Sequence, residues 1–598
     1  MSAPSPSLHT GEPVRIEISS NGRDVDIEAL VSIETWGEAN RIPRARLVLT
    51  DAQRDSKDFP ISESEAFVPG AEISIAAGYG SERTTIHTGI VIRHSLRLAP
   101  GGAPELEIET ADPLLKMTLG RNSAVTLQKS DKDLIAALVS ASGGSIGTNA
   151  AAPTPTEAIV QYHSSDWDLM LLRAEASGCL VLVGDSQVDI VSPAKSASSV
   201  LLLEYGESIV SFDATIDASA PFAGGAVKSG SWSYSKQKFV EGGAERAEVV
   251  TPGNLDAVAL ADVFGLGLVR QQSGAYIPDA QLADWSTGRL MRSKLAAVQG
   301  TVQFQGSALV RPGTFVTLQG LGARFDGDAF VSGVTHRIRD GHWQTVATLG
   351  MSAESFAKQS AEVAAAPASG LAPPIRGLHI GQVKQVAQDP SGDHRVLVTL
   401  PLAESANGVW ARLGQFYASN AFGAVFFPEI GDEVVLGFMD EDPANPVILG
   451  SLYSSTRAPA YPPNEANDKK AIVTRSKMEI TFDDKDVIFE ITTPKGRKLK
   501  LDDKAGEVKV TDPFGNSILM DQAKVDIVSG KAMNLSSKTD MTIAAGTNLT
   551  VSAKSKYDLS ALQISQTAKA SLSIASSGTG ELKVSGPLTI SGALVKIN

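Results

Sequence analysis

The sequence predicts a mainly β, multidomain protein whose last segment is an intertwined trimeric β-helix, and three observations carry that reading. First, 54 Gly and 30 Pro punctuate many short alternating runs, such as Val14, Ile16, Ile18 and Val396, Val398, Leu400, the period-two pattern of half-buried strands. Second, two joints, residues 360–374 and 457–470, are too rich in Ala, Pro and polar residues to bury a core, and they divide the chain. Third, over residues 471–598 a short apolar pair returns every eight positions: Val525 with Ile527, Met533 with Leu535, Met541 with Ile543, Leu549 with Val551, and Tyr557 with Leu559.

Residues 1–120 read as strands between turns, among them 45–49, 71–78, 85–96 and 106–110, and are expected to form a small barrel. Residues 121–199 interrupt that pattern. Ser130 with Asp133 and Ser165 with Asp168 form S-x-x-D starts before 134–139 and 169–176, the mark of two helix N-termini, and Gly178 is placed to stop the second. Residues 200–359 alternate again and are expected to form a second barrel with helical decoration, including a helix over 287–298. After the linker 360–374 comes a compact unit, 375–456. Its five strand candidates at 379–386, 394–402, 409–413, 433–439 and 447–453 fit a five-stranded Greek-key barrel of the OB type. The joint 457–470 precedes the repeat segment, 471–598.

Within each apolar pair the residues sit two apart, so both face one side of a short strand, and the Asn, Ser, Lys, Thr, Asp and Gly between pairs favour turns. Ordering eight backbone residues costs more entropy than burying two apolar side chains returns. One chain therefore cannot hold the stack alone. Ladders closed between neighbouring chains, with apolar pairs meeting on one axis, supply the remainder and leave few open edges. A single-chain solenoid needs a coil of about twenty or more residues, or a hexapeptide or nonapeptide repeat, and an eight-residue period fits none of these. An ordinary sandwich is the remaining alternative.

At 598 residues, with 42% hydrophobic residues, the chain is long enough for several cores. A net charge of −14 argues against nucleic acid as a general partner. No apolar run is long enough to span a bilayer, and the start MSAPSPSLHTGEP lacks the regions of a secretion signal, so cytoplasmic assembly is expected. The single cysteine, Cys179, lies in the apolar run CLVLVG and is expected to be a buried structural thiol.

Catalytic patterns are sparse. Gly143, Ser145 and Gly147 satisfy G-x-S-x-G, but a nucleophile elbow needs a strand before the serine and a helix after it, whereas a predicted helix precedes and a polar segment follows. Asp440, Glu441 and Asp442 beside Pro443 read as a solvated loop. His163 ends a predicted strand before the Ser165 cap, which gives it a structural or interface role. No Walker loop, zinc spacing or dinucleotide fingerprint occurs. No catalytic, cofactor or metal residue is expected.

The segment GVWARLGQFYASNAFGAVFFPEIGDEVVLGFMDEDPANPVILGSLYSS, residues 408–455, resembles the VgrG family of spike proteins of type VI secretion systems, contractile phage tails and extracellular injection systems. Its aromatic strand, PE-x-GDEV turn and D-P-x-x-P-V-x-x-G-S-x-Y close carry the likeness. Weaker echoes run through SKDFPISESEAFVPGAEISI and VQYHSSDWDLMLLRAEASG, which look like the family's hub. Among the matched residues, Trp410, Pro428, Gly431, Asp432, Pro443, Pro446 and Gly450 are read as framework. Pro428 and Gly431 shape a tight turn, Pro443 and Pro446 stiffen the next loop, and Gly450 leaves room for a close approach.

The resemblance implies a homotrimer with two hub barrels per chain in a pseudo-hexameric ring. Partners so implied are an Hcp-like inner-tube protein and baseplate proteins at the hub, effector cargo, and a PAAR-like tip protein at Leu594, Val595, Ile597 and Asn598. The expected function is a non-enzymatic spike that caps the tube and punctures a target envelope on sheath contraction, in transient contact with the target membrane. Some phage needles end in an iron-binding H-x-H apex, and no His here is followed by another two positions later. An envelope-acting enzyme or toxin and a receptor-binding fibre or adhesin are the alternatives.

Overall fold

The computed structural model describes residues 3–6, 11–51, 58–193, 198–219, 226–242, 249–265, 267–360, 363–403 and 407–597. The chain divides into two units, Met1–Leu452 and Tyr453–Asn598.

In the first unit the two β-rich stretches, expected as separate barrels, have two cores but share one hydrogen-bonded ladder. Its strand order is Ile209–Ile216, Val298–Gln305, His342–Leu349, Gly327–Arg339, Leu30–Glu38, Arg44–Thr50, Glu105–Ala111, Thr84–Arg97, Glu72–Tyr79, Val14–Ser20 and Arg23–Asp24. The junction is the antiparallel pairing of Gly327–Arg339 with Leu30–Glu38, where Thr335 faces Trp36. Leu201–Glu204 joins through Phe315–Gln319, which pairs with Gly327–Arg339. One core gathers Ile33, Leu47, Phe67, Ile75 and Ile108, and Ile338 and Trp343 of the second stretch enter it. The other gathers Leu203, Val302, Phe304, Val316 and Val331.

The insertion packs two helices against short sheets. Asp131–Ala141 and Asp166–Ala176 begin as the S-x-x-D pattern predicts, with Ser130 Oγ accepting from Asp133 N and Ser165 Oγ from Asp168 N. Gly178, at φ +70°, follows the second helix. Arg173 grips Asp131 through two hydrogen bonds of 2.6 and 3.0 Å and ties the helices together. The helix expected over 287–298 instead spans Asp279–Leu295, because Val298 already opens a strand and Pro278 supplies the start.

A closed barrel of His379–Gln385, Val396–Thr399, Val409–Leu413, Pro446–Ser451 and Glu433–Phe438 completes this unit around Val383, Val396, Val398, Ala411, Val434, Leu436 and Ile448. These are the five strands read from the sequence, closed by the parallel pairing of Arg412 with Val447. The preceding linker and the two residues after it are anchored to the loop at Asp440 and Glu441. Ser369 Oγ donates to Asp440 Oδ2 at 3.2 Å, Arg376 Nε to Glu441 Oε2 at 2.9 Å, and Ile375 N to the Glu441 carbonyl at 2.8 Å.

Candidate assembly surfaces

The second unit opens as a seven-stranded antiparallel meander: Lys469–Val473, Glu479–Asp483, Ile488–Thr492, Lys498–Asp502, Glu507–Thr511, Ser517–Met520 and Val525–Val528. Aspartates shape its turns. Asp483 Oδ1 accepts from Asp486 N at 3.1 Å, Asp502 Oδ1 from Ala505 N at 2.8 Å, Asp512 Oδ1 from Phe514 N at 2.9 Å, and Asp521 Oδ1 from Lys524 N at 2.8 Å. Hydrogen bonds hold three of these carboxyls below their ordinary range, chiefly from the Asp486 backbone to Asp483, from the Lys500 side chain to Asp502 and from the Asn516 side chain to Asp512.

The register sorts the side chains by face. One cross-strand row runs Ile472, Ile480, Ile491, Leu499, Val510, Ile518, Ile527, and a second runs Phe482, Phe489, Leu501, Val508, Met520, Val525. Members of the two rows stand two apart on each strand, so both rows share one face. The intervening row, Thr481, Glu490, Lys500, Lys509, lies on the other. Ion pairs on that polar side include Lys498 to Glu490 at 2.9 Å and Lys500 to Asp502 at 2.5 Å. Among the described residues of this unit the apolar face stays partly open: Phe482, Leu501, Val510, Ile518 and Met520 are 39–45% exposed.

Val525 and Ile527 therefore end these rows, and the remaining expected pairs follow them in sequence. The chain past Val528 forms no strand among the described residues, and Met533, Leu535, Met541, Ile543, Leu549, Val551, Tyr557 and Leu559 are all exposed. Two turns here echo the eight-residue period, with Ser529 Oγ donating to the Ala532 carbonyl and Ser537 Oγ to the Asp540 carbonyl, both at 3.1 Å. Leu594, Val595 and Ile597 are exposed as well, while Asn598 lies outside the described residues.

The expected start of the eight-residue stack needs correction. Residues 471–528 pair within the chain, and their apolar pairs at 480/482, 489/491, 499/501, 508/510 and 518/520 step alternately by nine and ten residues. Ten face residues were missed for that reason. The signal that finds them is the pair spacing of two, which persists while the period changes.

Within the OB barrel, Gly431 takes φ +85° in a turn where Asp432 N donates to the Glu429 carbonyl at 3.0 Å, directly after Pro428. Trp410 is half-buried on Val409–Leu413 and pairs in register with Leu397. Pro443 is in the loop, as expected. Pro446 is not; it is buried and opens the last strand opposite Phe438. Gly450 faces Val435, and an added Cβ would meet nothing within 4 Å, so no close approach within the chain requires it. Between the third and fourth strands in sequence, a segment with the small hairpin Ala418–Ser419 and Phe422–Gly423 exposes Phe416, Tyr417, Phe422, Val425, Phe426 and Phe427.

The remaining motifs fall in structural places. Ser145 begins the strand Ser145–Asn149, and the helix before it leaves no elbow. Cys179 is buried, its Sγ donates to the Ala150 carbonyl at 3.4 Å, and burial pushes its thiol up to about 11. The His163 carbonyl accepts from Arg121 at 2.9 Å, and Asp166 accepts from Asn122 and Gln161. Among the described residues no cluster of three His, Cys, Asp or Glu is placed to hold a metal ion, and no helix is long and apolar enough to cross a membrane.

A family model described as the Alg8 N-terminal domain matches residues 10–340, more than half of the chain, and one described as the type VI secretion system/phage-baseplate injector OB domain matches residues 379–453. The chain belongs to the Alg8 N-terminal domain family and is similar to the VgrG family of spike proteins.

Among VgrG proteins, the actin cross-linking toxin VgrG1 of Vibrio cholerae is 31% identical over 100 residues, 15% of this chain and 9% of that protein. The type VI secretion system spike protein VgrG1c of Pseudomonas aeruginosa is 35% identical over 52 residues, 9% of this chain and 7% of that protein. The matches thus span under a tenth of these relatives' length. The VgrG of a Francisella PdpA-VgrG complex aligns over 87% of this chain and 88% of that one at 11% identity and TM-score 0.37, a likeness too loose to place any residue.

Proposed function

We propose that this chain, similar to the VgrG family, is the structural hub and spike of a contractile injection machine, working as a homotrimer. The observation that carries the reading is the two-row apolar face of the meander, partly open among the described residues and followed in sequence by eight-residue apolar pairs. Three such faces turned toward one axis bury both rows. Beyond Val528 the unpaired backbone then finds its ladder partners on neighbouring chains. Ion-paired polar rows remain outside, so the assembly is a stiff rod with a dry interior.

In this reading the hub joins an Hcp-like tube and baseplate proteins, a PAAR-like protein caps the residues around Leu594–Ile597, and contraction of a sheath drives the rod through an envelope with its cargo. Assembly takes place in the cytoplasm, before delivery to or through the target envelope. Stiffness is the activity; no step is chemical. Changing Met541 and Ile543 to Asp places six carboxylates on the axis and is expected to abolish the trimer. A double variant that keeps the trimer mass in light scattering, with unaltered melting, contradicts the proposal.

A further inference from the structure

The charge of the chain is segregated along its length. Residues 1–452 carry a net −18, residues 453–528 are neutral, and residues 529–598 carry seven Lys against three carboxylates, a net +4. All seven ammonium-bearing side chains of that last segment are exposed. Lys556 pairs with Asp558 at 2.8 Å; Lys531, Lys538, Lys554, Lys569, Lys583 and Lys596 make no side-chain pair among the described residues. Lys583 stands between Leu582 and Val584, and Lys596 between Val595 and Ile597. In an extended chain the middle residue of such a triplet faces away from its two neighbours, so both lysines lie outside when the apolar pairs point to the axis.

We infer that the outer surface of segment 529–597 binds the anionic headgroups of a phospholipid bilayer. This rests on the trimeric reading, which triples the net charge to +12 on one narrow rod. The segment has no Arg to fork onto a phosphate, and its one aromatic residue, Tyr557, belongs to an inward pair, so it lacks the stacking platform of a single-strand nucleic-acid binder. What it has is a spread of compact point charges without sequence-reading groups, the chemistry suited to a lipid surface. Each lysine held near an anionic membrane strengthens partition by about fivefold.

The full chain, co-sedimented with vesicles of phosphatidylcholine alone or mixed with phosphatidylglycerol, tests this. Binding is expected only to the anionic vesicles, is expected to fall steeply with added salt, and is expected to drop at least tenfold in the Lys569→Glu, Lys583→Glu variant. Equal binding to neutral vesicles, no loss in the variant, or capture of an oligonucleotide without capture of vesicles overturns the inference. Light scattering on the same samples separates the two readings. A trimer that ignores anionic vesicles sinks only the lipid contact, whereas a monomer that binds them sinks the spike.

Discussion

Two buried histidines contribute to the acid response of the hub. His87 Nε2 lies 2.7 Å from Thr110 Oγ1, and His336 Nδ1 lies 2.9 Å from Thr345 Oγ1 while accepting from Trp343 Nε1 at 3.3 Å. Burial lowers both to about 4, from the ordinary 6.5. Each ring stays neutral in the fold while the unfolded chain takes up a proton, so its contribution is complete above pH 6.5 and is lost as pH falls toward 4. Each shift corresponds to about 3 kcal/mol. The urea midpoint of the hub is expected to fall between pH 7.5 and 4.5, and His336→Asn is expected to flatten that dependence by about one proton; equal slopes contradict the assignment. A second test concerns the buried pair of Arg292 and Glu175, whose Oε2 also accepts from Phe356 N at 2.8 Å. Arg292→Met strands that carboxylate and is expected to cost about 3–5 kcal/mol, read by chemical denaturation at neutral pH. The Ser130 and Ser165 caps were legible in the sequence because the partner stands three residues away. The histidine and arginine environments were not, since Thr110 and Thr345 lie 23 and 9 residues from their partners and Glu175 lies 117 from Arg292.

Elements were legible where the determinants are local. The five OB strands follow from alternation and turn residues, and the meander pairs from a spacing of two. The union of both hub stretches in one ladder depends on the pairing of Gly327–Arg339 with Leu30–Glu38, across some three hundred residues, and no local pattern encodes it. Helix Asp279–Leu295 began earlier than read because its buried positions, Leu282 and Ser286 among them, mix apolar with small polar residues. Its contact with the end of helix Asp166–Ala176 explains Gly288. A Cβ there would stand 2.8 Å from the Glu175 carbonyl and 3.1 Å from the Gly178 Cα. Gly288→Val is expected to push the two elements apart and cost about 1–3 kcal/mol. An unchanged melting temperature contradicts that packing account.

For the whole molecule, the central claim is that the second unit completes its fold only between chains. The eight-residue pairs were readable from sequence as a face without a partner, and the structure adds the two-row sheet that leads into them, but the identity of the partner is a property of the assembly rather than of any one chain. Solution mass under native conditions tests this most directly. Analytical ultracentrifugation of the full chain is expected to give about 188 kDa, three times the 62.6 kDa of one chain. A species of 62.6 kDa with segment 529–597 protected from protease would contradict the account.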